Sequence, residues 1–181
     1  MVLGTSTTLD DLVEEAKHLS TESLDARFST PVLLVVPSPD NLITERLDVT
    51  NPSMPKLEAR PAGTPAPEPA VMTTHVFQVR SRAENVRRGR LSVGRDETRD
   101  VPIPLGTVSS LHAYLEEVPP DGWQIVDANS TNGTWVDGRR VDPKQPMPLR
   151  DGCEIKLGEN ITTFWLASSF RAALRRRART K

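Results

Sequence analysis

One cysteine, Cys153, is the only thiol in this 181-residue chain. An intrachain disulfide is therefore impossible, and a reducing compartment suits the chain. Its three histidines, His18, His75 and His112, form no metal-ligand spacing with that cysteine, so no zinc site is expected. No apolar run approaches the ~18–20 residues needed to cross a bilayer. The start of the chain, Met1 to Ser6, has neither the basic opening nor the apolar core of a signal peptide. These absences point to a soluble, cytoplasmic protein without metal or cofactor. The length allows one domain of ~100–150 residues plus extensions, enough for a core that needs no covalent staple.

The net charge is −1, but it is unevenly spread. Acids outnumber bases over residues 1–70, whereas residues 171–181 carry six bases and no acid. Such asymmetry suggests end segments with their own roles, an attraction between the two ends, or simply two solvated faces. The basic tail has no interleaved aromatics and no zinc-finger or helix-turn-helix spacing, so nucleic-acid binding is an unfavoured alternative.

Four regions follow from composition. Residues 1–49 are an N-terminal extension. Thr8 is placed to cap a helix whose apolar face is Leu9, Leu12, Val13, Ala16 and Leu19. A second short helix starts near Thr21, and Val32–Val36 reads as a buried strand. Residues 50–70 hold Pro52, Pro55, Pro61, Pro65, Pro67 and Pro69 and read as a polyproline-type linker. Residues 71–168 read as all-β. The expected strands are His75–Arg80, Arg90–Gly94, Ala113–Val118, Trp123–Asp127, Thr134–Val136, Arg139–Val141, Glu154–Leu157 and Thr162–Ala167. Asp121-Gly122, Asn132-Gly133, Asp137-Gly138 and Asp151-Gly152 mark turns between them. Residues 169–181 form a basic helix or tail capped by Ser168 or Ser169, with Phe170 and Leu174 on one face. This periodicity predicts a β-sandwich but does not choose among sandwich families.

The loops between those strands carry the chemistry. Arg95 offers a planar cation, Ser109 and Thr131 offer hydroxyls, and Asn132 offers an amide. A phosphate dianion is held by such a set of a fixed cation and short donors. A hydrolytic reading of Ser109 with His112 fails. A nucleophile and base also need an orienting group and an oxyanion site, and the sequence identifies no such set.

Four landmarks in order resemble the forkhead-associated (FHA) domain over about residues 71–168. They are Arg90-Leu91-Ser92-Val93-Gly94-Arg95, Val108-Ser109-Ser110-Leu111-His112-Ala113, Asp127 through Gly138 with Ser130-Thr131-Asn132-Gly133-Thr134 inside it, and Leu149 through Gly158. The resemblance implies a mainly β fold, a sandwich of two antiparallel sheets, with the N-terminal extension and a short C-terminal helix added. It implies a phosphopeptide site of Arg95, Ser109, Ser110, Thr131 and Asn132, with loops supported by Gly94, His112 and Gly133. Arg95, Ser109 and Thr131 would bond the phosphate, Asn132 the peptide backbone, and Ser110 stands where the family often has arginine or another contact residue. His112 would be architectural. Two positions depart from the pattern: Asp137 replaces a frequent asparagine, and Cys153 replaces a usual aspartate and is expected to be buried. The implied function is that of a non-enzymatic adaptor in Ser/Thr kinase signalling. Its partner would be a phosphothreonine-containing protein, a Ser/Thr kinase or its substrate. The alternatives are a phosphate-independent interaction module or a nucleic-acid-associated protein acting through the tail.

Overall fold

Alternating apolar residues become strands when one face of each can be buried against a second sheet. A computed structural model describes residues 7–37, 73–82 and 89–180. The Pro-rich stretch 50–70 lies outside the described residues. The elements are β1 (Thr7–Thr8), α1 (Leu9–Ala16), α2 (Thr21–Arg27), β2 (Val32–Val36), β3 (His75–Gln78), β4 (Arg90–Gly94), β5 (Val101–Pro102) and β6 (Ala113–Val118). They continue with β7 (Gly122–Asp127), β8 (Thr134–Val136), β9 (Arg139–Arg140), β10 (Pro146–Leu149), β11 (Glu154–Leu157), β12 (Asn160–Trp165) and α3 (Ala167–Arg179). Seven strands form one sheet in the order β1-β3-β2-β12-β11-β8-β9, and five form the other in the order β10-β7-β6-β4-β5. The expected sandwich is present. One pair, β4 with β5, is parallel; the described pairs are otherwise antiparallel.

The pattern missed three strands, β1, β5 and β10. β1 and β5 have two residues each, and β5 and β10 contain Pro102, Pro146 and Pro148. Proline cannot donate to a ladder, so it is confined to sheet edges, and all three strands sit at edges. β2 shows the opposite case. Leu33 and Val35 enter the core between the sheets, while Val32 and Leu34 face the helices. From Val32 to Val35 the strand is covered on both sides and has no polar face, which is why the run is apolar without a break there.

Between the sheets lie Leu33, Val93, Ile103, Leu115, Ile125, Ile155 and Phe164, each at most 1% exposed. A second cluster joins the helices to the outer face of the seven-stranded sheet through Leu12, Leu24, Phe28, Val32, Phe170 and Leu174. Phe28 and Phe170 meet edge to face with centroids 5.1 Å apart. The expected cap forms at Thr8, which accepts from the Asp11 amide; the second helix is capped by Ser20, which accepts from the Ser23 amide. α3 departs from expectation. It starts at Ala167, and neither Ser168 nor Ser169 caps it; Leu166 holds the cap position without a side-chain bond. β12 runs almost directly into this helix, and Asp151 in the turn before β11 accepts from the Leu166 amide at 2.7 Å.

The two chain ends attract one another. Arg171 and Arg175 of α3 both pair with Asp25 of α2, at 2.8 and 2.7 Å. They also donate to the carbonyls of Phe28 and Thr21. Two of the tail's arginines therefore hold the helical layer together. No helix among the described residues is long and apolar enough to cross a membrane.

Candidate functional site

The candidate residues lie in three loops at one end of the sandwich, and the backbone itself joins the first two loops. β4 ends at Gly94, buried so closely against the Ser110 carbonyl that a Cβ would overlap it. The Arg95 amide then donates to the Ser109 carbonyl at 2.9 Å, and the Asp96 amide reaches the Ser110 carbonyl at 3.4 Å. The Arg95 side chain is exposed, and among the described residues no carboxylate pairs with it. Neighbouring Asp96 turns instead to Thr98 and Arg99.

His112 joins the second loop to the third. Its ring is fully buried. Nδ1 accepts from the Ser109 amide at 3.1 Å, and Nε2 lies 3.0 Å from the Gly133 carbonyl. A ring nitrogen facing an N–H must accept and one facing a carbonyl must donate, which assigns the neutral Nε2–H tautomer. Burial lowers its pKa; the Gly133 bond and the Asp127 charge oppose that shift but do not reverse it. With both nitrogens engaged by backbone, the imidazole is not placed to deprotonate the Ser109 hydroxyl.

The two hydroxyls are held as a pair. Ser109 Oγ accepts from the Thr131 amide at 3.0 Å and donates to Thr131 Oγ1 at 3.4 Å. Asn132 follows, and its Nδ2 donates to the Thr107 carbonyl at 2.9 Å. Gly133, at φ +82°, passes its carbonyl to His112 and to the Gly158 amide. The structure thus brings Ser109, Thr131 and Asn132 together beside Arg95. Ser110 is exposed at the rim, with its carbonyl on Asp96.

Several supporting residues were not evident from motif spacing. Asp127, 2% exposed, accepts from the Asn129 and Ser130 amides through Oδ1 and from the Ser130 and Thr134 hydroxyls through Oδ2. Burial opposes its charge, but the bonds from Thr134, Ser130 and Asn129 outweigh burial and hold its carboxyl below the usual range. An Asp followed two and three residues on by Asn and Ser is a local turn signal that could have found it. Thr107 and Asn160 had no such signal. Thr107 Oγ1 accepts from Asn160 Nδ2 at 2.9 Å across 53 positions of sequence. The two departures are structural. Asp137 accepts from Arg150 and from the Glu154 amide, so it fixes the turn into β9. Cys153 is buried, and burial raises its thiol pKa. Among the described residues, no group of three or more His, Cys, Asp or Glu could hold a metal ion.

Comparison with known proteins bears on this loop cluster. The FHA domain family model matches residues 91–158. The E3 ubiquitin-protein ligase RNF8 of Mus musculus is 37% identical over 51 residues, 28% of this chain and 10% of that protein. The ABC transporter ATP-binding/permease protein Rv1747 of Mycobacterium tuberculosis is 41% identical over 71 residues, 39% of this chain and 8% of that protein. The chain therefore spans a tenth or less of the curated relatives it matches. Among solved structures, Mycobacterium tuberculosis EmbR in complex with a low affinity phosphopeptide is 26% identical at a TM-score of 0.39, over 43% of this chain and 20% of that chain.

Proposed function

Because residues 91–158 of this chain are an FHA domain, we propose that the protein is a cytoplasmic adaptor that binds phosphothreonine segments in Ser/Thr kinase signalling. The observation that carries the reading is the pairing of Ser109 and Thr131 hydroxyls, 3.4 Å apart, beside an Arg95 that no described carboxylate neutralises. Phosphothreonine carries a charge of about −1.5 to −2 and three acceptor oxygens, which match one guanidinium and two hydroxyls. Asn132, held on Thr107, would orient the peptide backbone through its amide, and Ser110 would contact the peptide at the rim. Gly94, His112 and Gly133 would hold the loops in place. The protein would exert its effect by binding a Ser/Thr kinase or a kinase substrate, without catalysis of its own.

The test is calorimetry on a peptide selected from a degenerate phosphothreonine library. Arg95→Ala should cost about 2–5 kcal/mol of binding while leaving the fold intact, because a charge-assisted contact is lost. The phosphothreonine peptide should bind at least ~10-fold tighter than its glutamate version, about 1.4 kcal/mol. Phosphoserine should also bind less well. Equal affinity for the unmodified, glutamate and phosphothreonine forms would overturn the assignment.

A further inference from the structure

Among the described residues, the outer face of the seven-stranded sheet is only partly covered. The helical layer packs on Val32, Leu34, Val76 and Trp165. Beyond it, toward the loop end, strand register sets five side chains in one row. Val36 pairs with Ile161, Ile161 with Lys156, Lys156 with Trp135 and Trp135 with Arg140. Directly opposed residues point to the same face. Four inter-strand steps make a row about 19 Å long. Neither Val36 nor Ile161 belongs to the helical cluster. Ile161 is 47% exposed, the more open of the two large hydrophobics exposed among the described residues.

The row has a definite chemistry. Trp135 stands between two cations, with the Arg140 guanidinium 5.9 Å and the Lys156 ammonium 5.3 Å from its ring centroid. One acid, Glu159, lies 3.6 Å from Lys156. Ile161 and Val36 continue the row as an apolar patch. Tryptophan and arginine beside exposed aliphatic surface are the residue types that dominate protein-binding energies. The row also adjoins the loop cluster. Gly133 packs on the Trp135 ring so closely that a Cβ there would lie 2.8 Å from Cη2, and Gly133 follows Asn132 directly.

We propose that the row Val36–Ile161–Lys156–Trp135–Arg140 is a second docking surface for the phosphorylated partner, taking an acidic segment with an apolar side chain that flanks the phosphothreonine. The proposal rests on the phosphothreonine reading. Charge complementarity selects an acidic occupant for Lys156 and Arg140, and the apolar side chain covers Ile161 and Val36. The loop cluster supplies the phosphate anchor, and the contact of Gly133 with Trp135 makes the two surfaces continuous. Linking two weak contacts on one chain raises affinity without improving either.

Three degenerate phosphothreonine libraries test this on the full chain: a short core, the core with Asp/Glu-and-Leu extensions, and the core with Lys-and-Leu extensions. The acidic extension should tighten binding at least ~10-fold, about 1.4 kcal/mol. The basic extension should not. The double variant K156E/R140E should lose most of that gain yet bind the short core as the parent does. Ile161→Ser should lose part of it. A gain that is absent, or that persists in the double variant, overturns the proposal. Failure of the short core to bind the parent would instead reject the phosphothreonine reading. In that case, NMR titration with the unphosphorylated acidic extension decides about the row. Shifts at the Trp135 indole N–H and the Ile161 methyls that vanish in K156E/R140E would sustain it, and their absence would overturn it.

Discussion

At the scale of single residues, His112 shows how one buried side chain can brace two loops through their backbone. Its ring is buried and joins Ser109 to Gly133. A histidine's ordinary pKa is about 6.5, and burial lowers this one. The folded state thus binds fewer protons there than the unfolded chain does. Its contribution to stability is fully present above about pH 6.5 and is lost as pH falls through the folded value. Thermal unfolding of the peptide-free protein should therefore show a midpoint that declines below about pH 6.5. The peptide is left out because its phosphate titrates near pH 6. His112→Ala should flatten that decline and cost about 2–4 kcal/mol, since it leaves a cavity and an unpaired Ser109 amide, the Gly133 carbonyl keeping only its bond from the Gly158 amide. A variant with unchanged stability would refute the bracing role. Arg95, Ser109, Thr131, Asn132 and His112 were legible because each stands in a short motif. Thr107 was not, because its partners Asn132 and Asn160 lie 25 and 53 positions away.

At the scale of elements, α3 is held by two kinds of force, and magnitudes separate them. Phe170 is 1% exposed and packs on Phe28. Truncating a buried phenylalanine costs about 3–5 kcal/mol. The pairs of Arg171 and Arg175 with Asp25 are partly exposed, with Asp25 at 47%. Such pairs contribute at most ~1 kcal/mol each. Phe170→Ala should therefore lower the urea midpoint far more than Asp25→Asn, and a larger effect from Asp25→Asn would invert this ranking. The amphipathic face of α3 was readable from Phe170 and Leu174. Its cap was not, because Asp151 comes from a different turn.

At the scale of the whole molecule, the N-terminal extension contributes a strand to the interior of a sheet. β2 pairs with β12 on one side and β3 on the other, over five and four residue pairs. A chain beginning at residue 71 would leave both neighbours without that partner. It would also uncover Phe164 of the core and Phe170 of the helical layer, which pack in the clusters that β2 joins. Such a chain should lack a cooperative unfolding transition and bind a hydrophobic dye. A cooperative transition with retained phosphopeptide binding would instead support residues 71–168 as a self-standing domain.

Strand periods, turn dipeptides, the Thr8 cap and the ordered loop motifs are local. Each depends on residues within a few positions of one another, so composition and spacing reveal them without a fold. The unbroken apolar run Val32–Val36 likewise announced burial on both sides. What pairs with it and covers it was decided largely elsewhere: β3, β12 and α3 lie tens to more than a hundred positions away, and only α1 and α2 are near in sequence. The same holds for the contact of Arg171 with Asp25, for the Thr107–Asn160 bond and for the row from Val36 to Arg140. Their residues carry no mark of each other in one sequence, because pairing at that range depends on strand order and register. Only the closed sandwich sets those.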